Sequence, residues 1–360
     1  MIDLKCFRKT NVYFYGNEEE KQAFYITCVC PFFEEHKKGQ FFANRDWNGG
    51  PNVEVVYRGE KINKESLQDA IAEYCKKNSL SWTAEQIDEN LSSYKKNQAN
   101  LLKMENKEKI EILAQNHLSV RDSQVDIQYY KRVYNSSDHV KLHFESRFLL
   151  QPLLEEALVK LRSKQDMKLL VMKLYCITMK LFEHGEKFAS LLYVSNITGF
   201  FALAKQYGKE KAFRSYFEDE YNKYSMEEFD HVELDESLLE QFSIAWTQIY
   251  NNCIALVDGN LLSEKGYYRL EEQVQRAYDN MQGLTESEFH QTLIRDEHFV
   301  ELVSGKTHLV FRSIANILYN IMPSLNLSFL DKHFCCYAVV RYVMEKYNTD
   351  WKQIMNERVI

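Results

Sequence analysis

The stretch Phe41-Phe42-Ala43-Asn44-Arg45-Asp46-Trp47-Asn48-Gly49-Gly50-Pro51-Asn52-Val53-Glu54-Val55-Val56-Tyr57 decides the reading of the chain. Two aromatic and β-branched runs, Gln40–Trp47 and Asn52–Arg58, flank Gly49-Gly50-Pro51, which predicts an antiparallel hairpin. Alternation places Val53, Val55 and Tyr57 on one face of the second strand and Glu54, Val56 and Arg58 on the other. Outward from it, Asn11–Tyr15 reads as a strand ended by Gly16-Asn17. Glu18–Val29 has helical spacing, with Pro31 ending that helix or opening the next turn. Lys64–Lys77 carries Leu67, Ala70, Ile71 and Tyr74 on one helical stripe, and Trp82–Lys103 reads as a more polar helix.

Further on, Val125–Tyr134 returns to strand character, with His139–Phe144 as its partner. After Arg147 the chain turns helical: Leu149–Lys164 opening near Pro152, then Met167–Phe182, Ala189–Tyr207, Lys209–Lys223, Glu236–Val257 and Leu261–Met281. Thr307–Met322 and Phe329–Tyr347 form an apolar pair divided by Pro323. The expected fold class is α+β. An antiparallel sheet with packed helices forms an N-terminal α/β half (1–146), and a mostly helical half (147–360) joins it in one integrated domain over 1–360.

Composition narrows the function. Aromatics reach 14%, with 23 Tyr and 22 Phe, against only 12 Gly and 4 Pro, which favours long elements and aromatic peptide-binding surfaces. A coding sequence rich in A and T would give the same excess. The formal charge of −7 argues against nucleic acid as a partner. The N-terminus lacks a signal-peptide pattern, and apolar stretches such as Leu169–Leu174 and Cys335–Val340 fall short of a bilayer, so a cytoplasmic protein with no membrane partner is expected. The 8 cysteines lack zinc or Cys-x-x-Cys spacing, and reduced thiols are expected. His139 and His143 would chelate a metal on a helix, but Asp138–Phe144 alternates like a strand and no third ligand is close. No phosphate loop, nucleophile elbow or zincin motif occurs, so neither metal nor cofactor is expected.

The quoted stretch resembles a hallmark of the C-terminal, elimination domain of lanthipeptide dehydratases and the related thiopeptide-type bacteriocin biosynthesis proteins. There an aromatic strand ends in Arg-Tyr-Trp or similar, followed by Gly-Gly-Pro-His and a strand alternating Arg with aliphatics. Arg45, Trp47 and Gly49-Gly50-Pro51 match, as does the helix at Lys64–Lys77. Tyr130, Arg132 and Tyr134 are similar to the family's Tyr-x-Arg-Tyr-Gly region, Phe144-Glu145-Ser146 to the step before a long helix, and His308 to Arg312 to the final His/Arg-bearing helix. Two positions depart: Asn52 stands for the family's histidine, and Glu54 for its first strand arginine. A carboxylate at 54 repels the glutamate leaving group that an elimination domain must bind.

The resemblance therefore implies a stand-alone pyridine synthase of thiopeptide antibiotic biosynthesis. Such an enzyme joins two dehydroalanines of a leader-bearing peptide by formal aza-Diels–Alder cycloaddition, closing a macrocycle and releasing water and the leader. Its partner is a ribosomally made precursor peptide (leader and dehydrated core), with other pathway enzymes as further partners. It implies Tyr130 and His308 as catalytic and Arg45, Trp47, Arg132, Tyr134 and Arg312 as substrate-binding residues. Tyr130 and Arg132 are expected to share a strand face, and Arg45 to lie where Gly-Gly lets substrate approach the backbone. In the alternative, Arg45 and Arg132 are ion-paired with Asp46, Glu54 or Asp126 and merely hold the sheet. Two other activities stay open: the glutamate-eliminating subunit of a split peptide dehydratase, and a non-catalytic precursor-binding scaffold.

Overall fold

The computed structural model describes residues 4–47, 49–80, 120–134, 136–161, 163–224, 234–259, 261, 287–295 and 305–357, with parts of 83–95. The expected helices at 82–103 and 261–281 lie largely or wholly outside the described residues. The fold is α+β, as read from the sequence: one antiparallel sheet in the N-terminal part, and helices elsewhere. Contacts group the chain into two compact units. The first comprises Met1–Tyr129, Arg147–Lys160 and Pro323–Asn326; the second comprises Tyr130–Ser146, Leu161–Met322 and Leu327–Ile360.

In the first unit the sheet holds β1 (Phe7–Tyr13), β2 (Phe41–Asp46), β3 (Asn52–Arg58) and β4 (Val120–Gln124) in the order β2-β3-β1-β4. The predicted hairpin is present, with Phe41 opposite Tyr57 and Arg45 opposite Val53. Its turn closes through Gly50 N–H donating to the Trp47 carbonyl, 3.1 Å, and Gly50 adopts φ 118°, open to glycine. A Cβ at Gly50 would collide with the Tyr15 hydroxyl. At Gly50 the space left by the missing side chain is thus occupied by the chain's own Tyr15.

Helix α1 (Glu18–Phe24) starts from a capping box in which Asn17 and Glu20 satisfy each other's backbone N–H. It does not stop at Pro31. The backbone widens into a π turn at Tyr25–Val29 and continues as α2 (Cys30–Lys37). Pro31 has no N–H to give, and a widened turn just before it accommodates the missing bond. Helix α3 (Lys64–Lys77) has the bounds expected and buries Leu67 and Ile71.

The main correction falls at 125–160. Val120–Gln124 is a strand, but Ile127–Tyr134 is helix α4 and Ser137–Lys160 is a 24-residue helix α5, so neither Tyr130 nor His139–Phe144 lies on a strand. Among its buried positions, Val140, His143, Phe144, Arg147, Phe148 and Gln151 share one helical stripe, although three of them are polar. Helix α5 also runs through Pro152 rather than opening there. Within the first unit Gln151 is 2% exposed and fully employed. Its Oε1 accepts from the β2 amide of Ala43, 3.0 Å, and its Nε2 donates to Tyr25 Oη, 2.9 Å, and Glu155 Oε1, 2.7 Å.

The second unit is helical: α6 (Lys164–Lys180), α7 (Gly185–Gln206), α8 (Glu210–Tyr221), α9 (Glu236–Asp258), α10 (Glu288–Arg295), α11 (Lys306–Ile321), α12 (Phe329–Lys346) and α13 (Trp351–Asn356). Its core includes Trp246, Tyr175, Tyr193 and the Cys335-Cys336 pair, all without accessible surface. All eight cysteines are free thiols. Helix α7 is long and apolar enough to cross a membrane by length and composition, but half of its most apolar window is buried in the protein. Tyr193, Val194 and Ile197 are among the side chains it commits to the core.

Gln151→Leu strands the Ala43 amide and the Tyr25 hydroxyl, and should lower unfolding free energy by about 1–3 kcal/mol. Urea denaturation checks this, and an unchanged midpoint would remove Gln151 from the account of how α5 holds β2.

Candidate functional site

Helix α11 buries most of its circumference through Val310, Phe311, Ser313, Ile314, Ala315, Ile317, Leu318 and Ile321. Its remaining side is polar. His308, Arg312, Asn316 and Asn320 recur every four residues and drift slowly round the axis, forming a stripe about 18 Å long. None of these four is buried.

Helix α4 and the first turns of α5 supply the groups that meet the stripe. Asn320 Nδ2 donates to the Asn316 carbonyl, 2.7 Å, which fixes its amide orientation because a carbonyl only accepts. The same nitrogen donates to Tyr134 Oη, 3.1 Å. That bond leaves the Tyr134 proton for His143 Nδ1, 3.1 Å away. Both rings are buried at 3% exposure and stack with centroids 4.5 Å apart. Tyr130 is half-buried, 4.9 Å from Phe144 edge-on and 6.4 Å from Tyr134.

His139 and His308 complete the cluster. Burial pushes the His139 imidazole down to about 4, opposed by its hydrogen bond to the Tyr134 backbone carbonyl, and the Arg312 charge pushes the same way as burial. Enclosure by protein likewise pushes His308 down to about 4, with Arg312 adding to it, although the residue keeps some accessible surface. Near neutral pH the site is two neutral imidazoles around one fixed guanidinium, beside a Tyr–His pair. Such a set can donate to a developing oxyanion at Arg312 and accept a proton at either ring. Among the described residues no three His, Cys, Asp or Glu side chains converge on a metal position.

The second unit holds Tyr130, Tyr134, His308 and Arg312: Tyr130 lies beside Tyr134, which meets His139, His143 and Asn320, while Arg312 acts through its charge on His139 and His308. Sequence reading had not assigned His139, His143 or Asn320 to a site. The four-residue spacing of His139 and His143 was the available signal, and it needed a helix to be read. Arg132 belongs to helix α4 rather than to a strand, so the strand face expected to carry it with Tyr130 is not there. Arg45 and Trp47 belong to the first unit. Arg45 Nη1 donates to Glu18 Oε2, 2.9 Å, and Asn326 Oδ1, 2.6 Å. Its ion-pair partner is thus Glu18 rather than Asp46, Glu54 or Asp126. Burial lowers its pKa, and Nη2 is buried without a partner. Trp47 is half-buried beside the hairpin turn.

The fold is one found in solved structures, a pyridine synthase among them. One solved structure of this kind is the pyridine synthase TbtD from thiomuracin biosynthesis, superposable with a TM-score of 0.62 at 12% identity over 95% of this chain and 99% of that one. TsrL is also similar, with a TM-score of 0.57 and 13% identity over 97% of each chain. No family model matches the sequence, and no curated protein matches it.

The depressed histidines make stability depend on acid. His139, His290 and His308 are held near 4 and His333 near 3, below the ordinary 6.5. The unfolded chain binds more protons between those values, so stability is full above about 6.5 and falls as pH drops toward 4. His139→Gln and His308→Gln should each flatten that fall. Melting temperatures between pH 7 and 4 check it, and an unaltered slope in both variants contradicts the buried-neutral assignment.

Proposed function

We propose that this chain is a peptide-modifying enzyme of thiopeptide biosynthesis that builds the central six-membered nitrogen ring of its product. In this reading it joins two dehydroalanines of a leader-bearing peptide by formal aza-Diels–Alder cycloaddition, closes the macrocycle, and aromatises the ring with loss of water and the leader. The observation that carries the proposal is the likeness to a pyridine synthase over essentially the whole of both chains, at a TM-score of 0.62. The stripe on α11 supports it chemically.

Cycloaddition needs no covalent nucleophile. It needs two distant parts of one peptide held in a near-attack pose, an effect worth up to about 7–11 kcal/mol when geometry is ideal. It also needs one amide displaced toward its iminol tautomer, and protons moved as water and leader depart. We assign Tyr130 as the hydroxyl that donates to that amide oxygen, and Arg312 as the cation that stabilises negative charge developing on it. His308, neutral near pH 7, takes and returns the proton. Tyr134 is buried with its hydroxyl between Asn320 and His143, so it acts as a positioning residue for the stripe. Arg45, Trp47 and Arg132 are assigned to holding the peptide.

The eliminating-subunit reading asks for a cation on β3. Glu54 stands there and pairs with Lys9, 3.0 Å, while Asn52 holds Asn11 and the Gly50 carbonyl in place of a histidine. These contacts disfavour elimination.

Purified protein given a linear, leader-bearing peptide with azoles and dehydroalanines should yield a pyridine-containing macrocycle and free leader, read by mass spectrometry. Conversion of glutamylated Ser/Thr to dehydroamino acids would establish elimination instead, and leader binding with no mass change would establish a scaffold. Tyr130→Phe and His308→Ala should each reduce turnover by roughly 10²–10⁴-fold with leader binding and melting temperature retained. Unchanged turnover in both would remove the stripe as the reaction centre.

A further inference from the structure

The start of helix α12 holds a second group of side chains, not used above. The first-turn backbone is already satisfied: Ser328 Oγ accepts from the Asp331 amide and Asp331 Oδ2 accepts from the Ser328 amide, 3.2 and 2.8 Å. Asp331 also pairs with Lys164, 2.8 Å. The helix terminus itself therefore offers no receptor. The two side chains that follow do.

Among the described residues the Lys332 side chain makes no ion pair or hydrogen bond; its backbone N–H donates to the Ser328 carbonyl, 3.0 Å. Its Nζ lies 4.9 Å from the Tyr319 ring centroid and 5.0 Å from that of Phe329. Burial lowers its pKa. Next to it, His333 is 5% exposed, and neither ring nitrogen has a hydrogen-bond partner. Its ring stacks on Phe200, centroids 4.4 Å apart, and meets Phe329 edge-on at 4.4 Å. Phe329 is 52% exposed and touches both groups. One outward-facing aromatic side chain thus covers an ammonium without a counter-ion and an imidazole without a partner.

Buried polar groups are normally satisfied, and groups left open ask for a ligand. A ligand that answers both must accept hydrogen bonds at two points, carry negative charge, and present apolar surface to Phe200 and Phe329. A carboxylate beside an apolar side chain has that form. We propose that Lys332 and His333 form a carboxylate-binding subsite, uncovered by rotation of Phe329, for an acidic side chain or the free C-terminus of the peptide substrate. The Lys332 ammonium donates to one oxygen and the His333 ring N–H to the other. That the carboxylate belongs to a peptide rests on the function proposed above.

The test uses the whole chain labelled with 13C-histidine, with the His333 signal assigned through His333→Gln. N-acetylphenylalanine should shift that signal saturably, and N-acetylphenylalaninamide should not. Lys332→Met should weaken the acid by about tenfold or more while melting at or above the parent temperature, because it removes an uncompensated charge. N-acetyl-alanyl-phenylalanine against N-acetyl-aspartyl-phenylalaninamide then separates a C-terminal from a side-chain source. Equal binding of acid and amide, or unchanged acid affinity in Lys332→Met, overturns the subsite. Carboxylate binding without macrocycle formation would leave the subsite standing and count against the proposed reaction alone.

Discussion

A long helix whose buried side is partly polar is the constraint on which much of this structure depends. Helix α5 buries His143, Arg147 and Gln151 along with Val140, Phe144 and Phe148, and each polar group must find partners or cost more than it contributes. Arg147, with no accessible surface, donates to Asn44 Oδ1 and to Ser324 Oγ, 3.2 Å, and lies over the Phe42 ring. Ser324 in turn donates to the Ala43 carbonyl, 3.0 Å. A buried guanidinium held by these acceptors and a ring face tolerates little displacement, since each lost bond leaves a buried charge less well satisfied. The same helix, one turn earlier, places His143 against Tyr134. The residues that hold the sheet and those that underlie the candidate site are therefore specified by one continuous run of backbone.

Legibility in the sequence followed the range of the forces involved. The hairpin at 40–58 was readable because its signal is local: two alternating runs and a glycine turn. Helices α3, α6, α7, α9, α11 and α12 were readable because their buried faces are apolar. The start of α5 was misread as a strand because its buried positions include histidine, arginine and glutamine. A hydrophobic count skips these residues, leaving an apparent alternation over Asp138–Phe144. The side chains are buried by tertiary partners on β2 and α4, and no local pattern announces such partners. The site shows the same division. Tyr130, Tyr134, His308 and Arg312 came from family resemblance, whereas Asn320 and His143 acquire meaning only when α4, α5 and α11 are brought together.

Gly50 teaches a related lesson about motifs. A glycine pair in a turn reads as room for substrate, and at Gly50 that room is taken by Tyr15, which is 4% exposed. The residue type was informative about space, but silent about what fills it.

The π turn at Tyr25–Val29 has a consequence for comparing distant relatives. A turn of this kind spends about one more residue than an α turn while advancing the helix face by nearly the same angle. Faces before and after it are thus offset by one position along the chain. A homologue with an uninterrupted helix here would be one residue shorter and still present aromatic side chains where Phe32 and Phe33 stand. Removing a residue just after the turn would instead put Glu34 in the place of fully buried Phe33. An alignment with a chain near 12% identity that needs a one-residue gap within 18–37 should place it inside 25–29, where an indel leaves the helix faces in register.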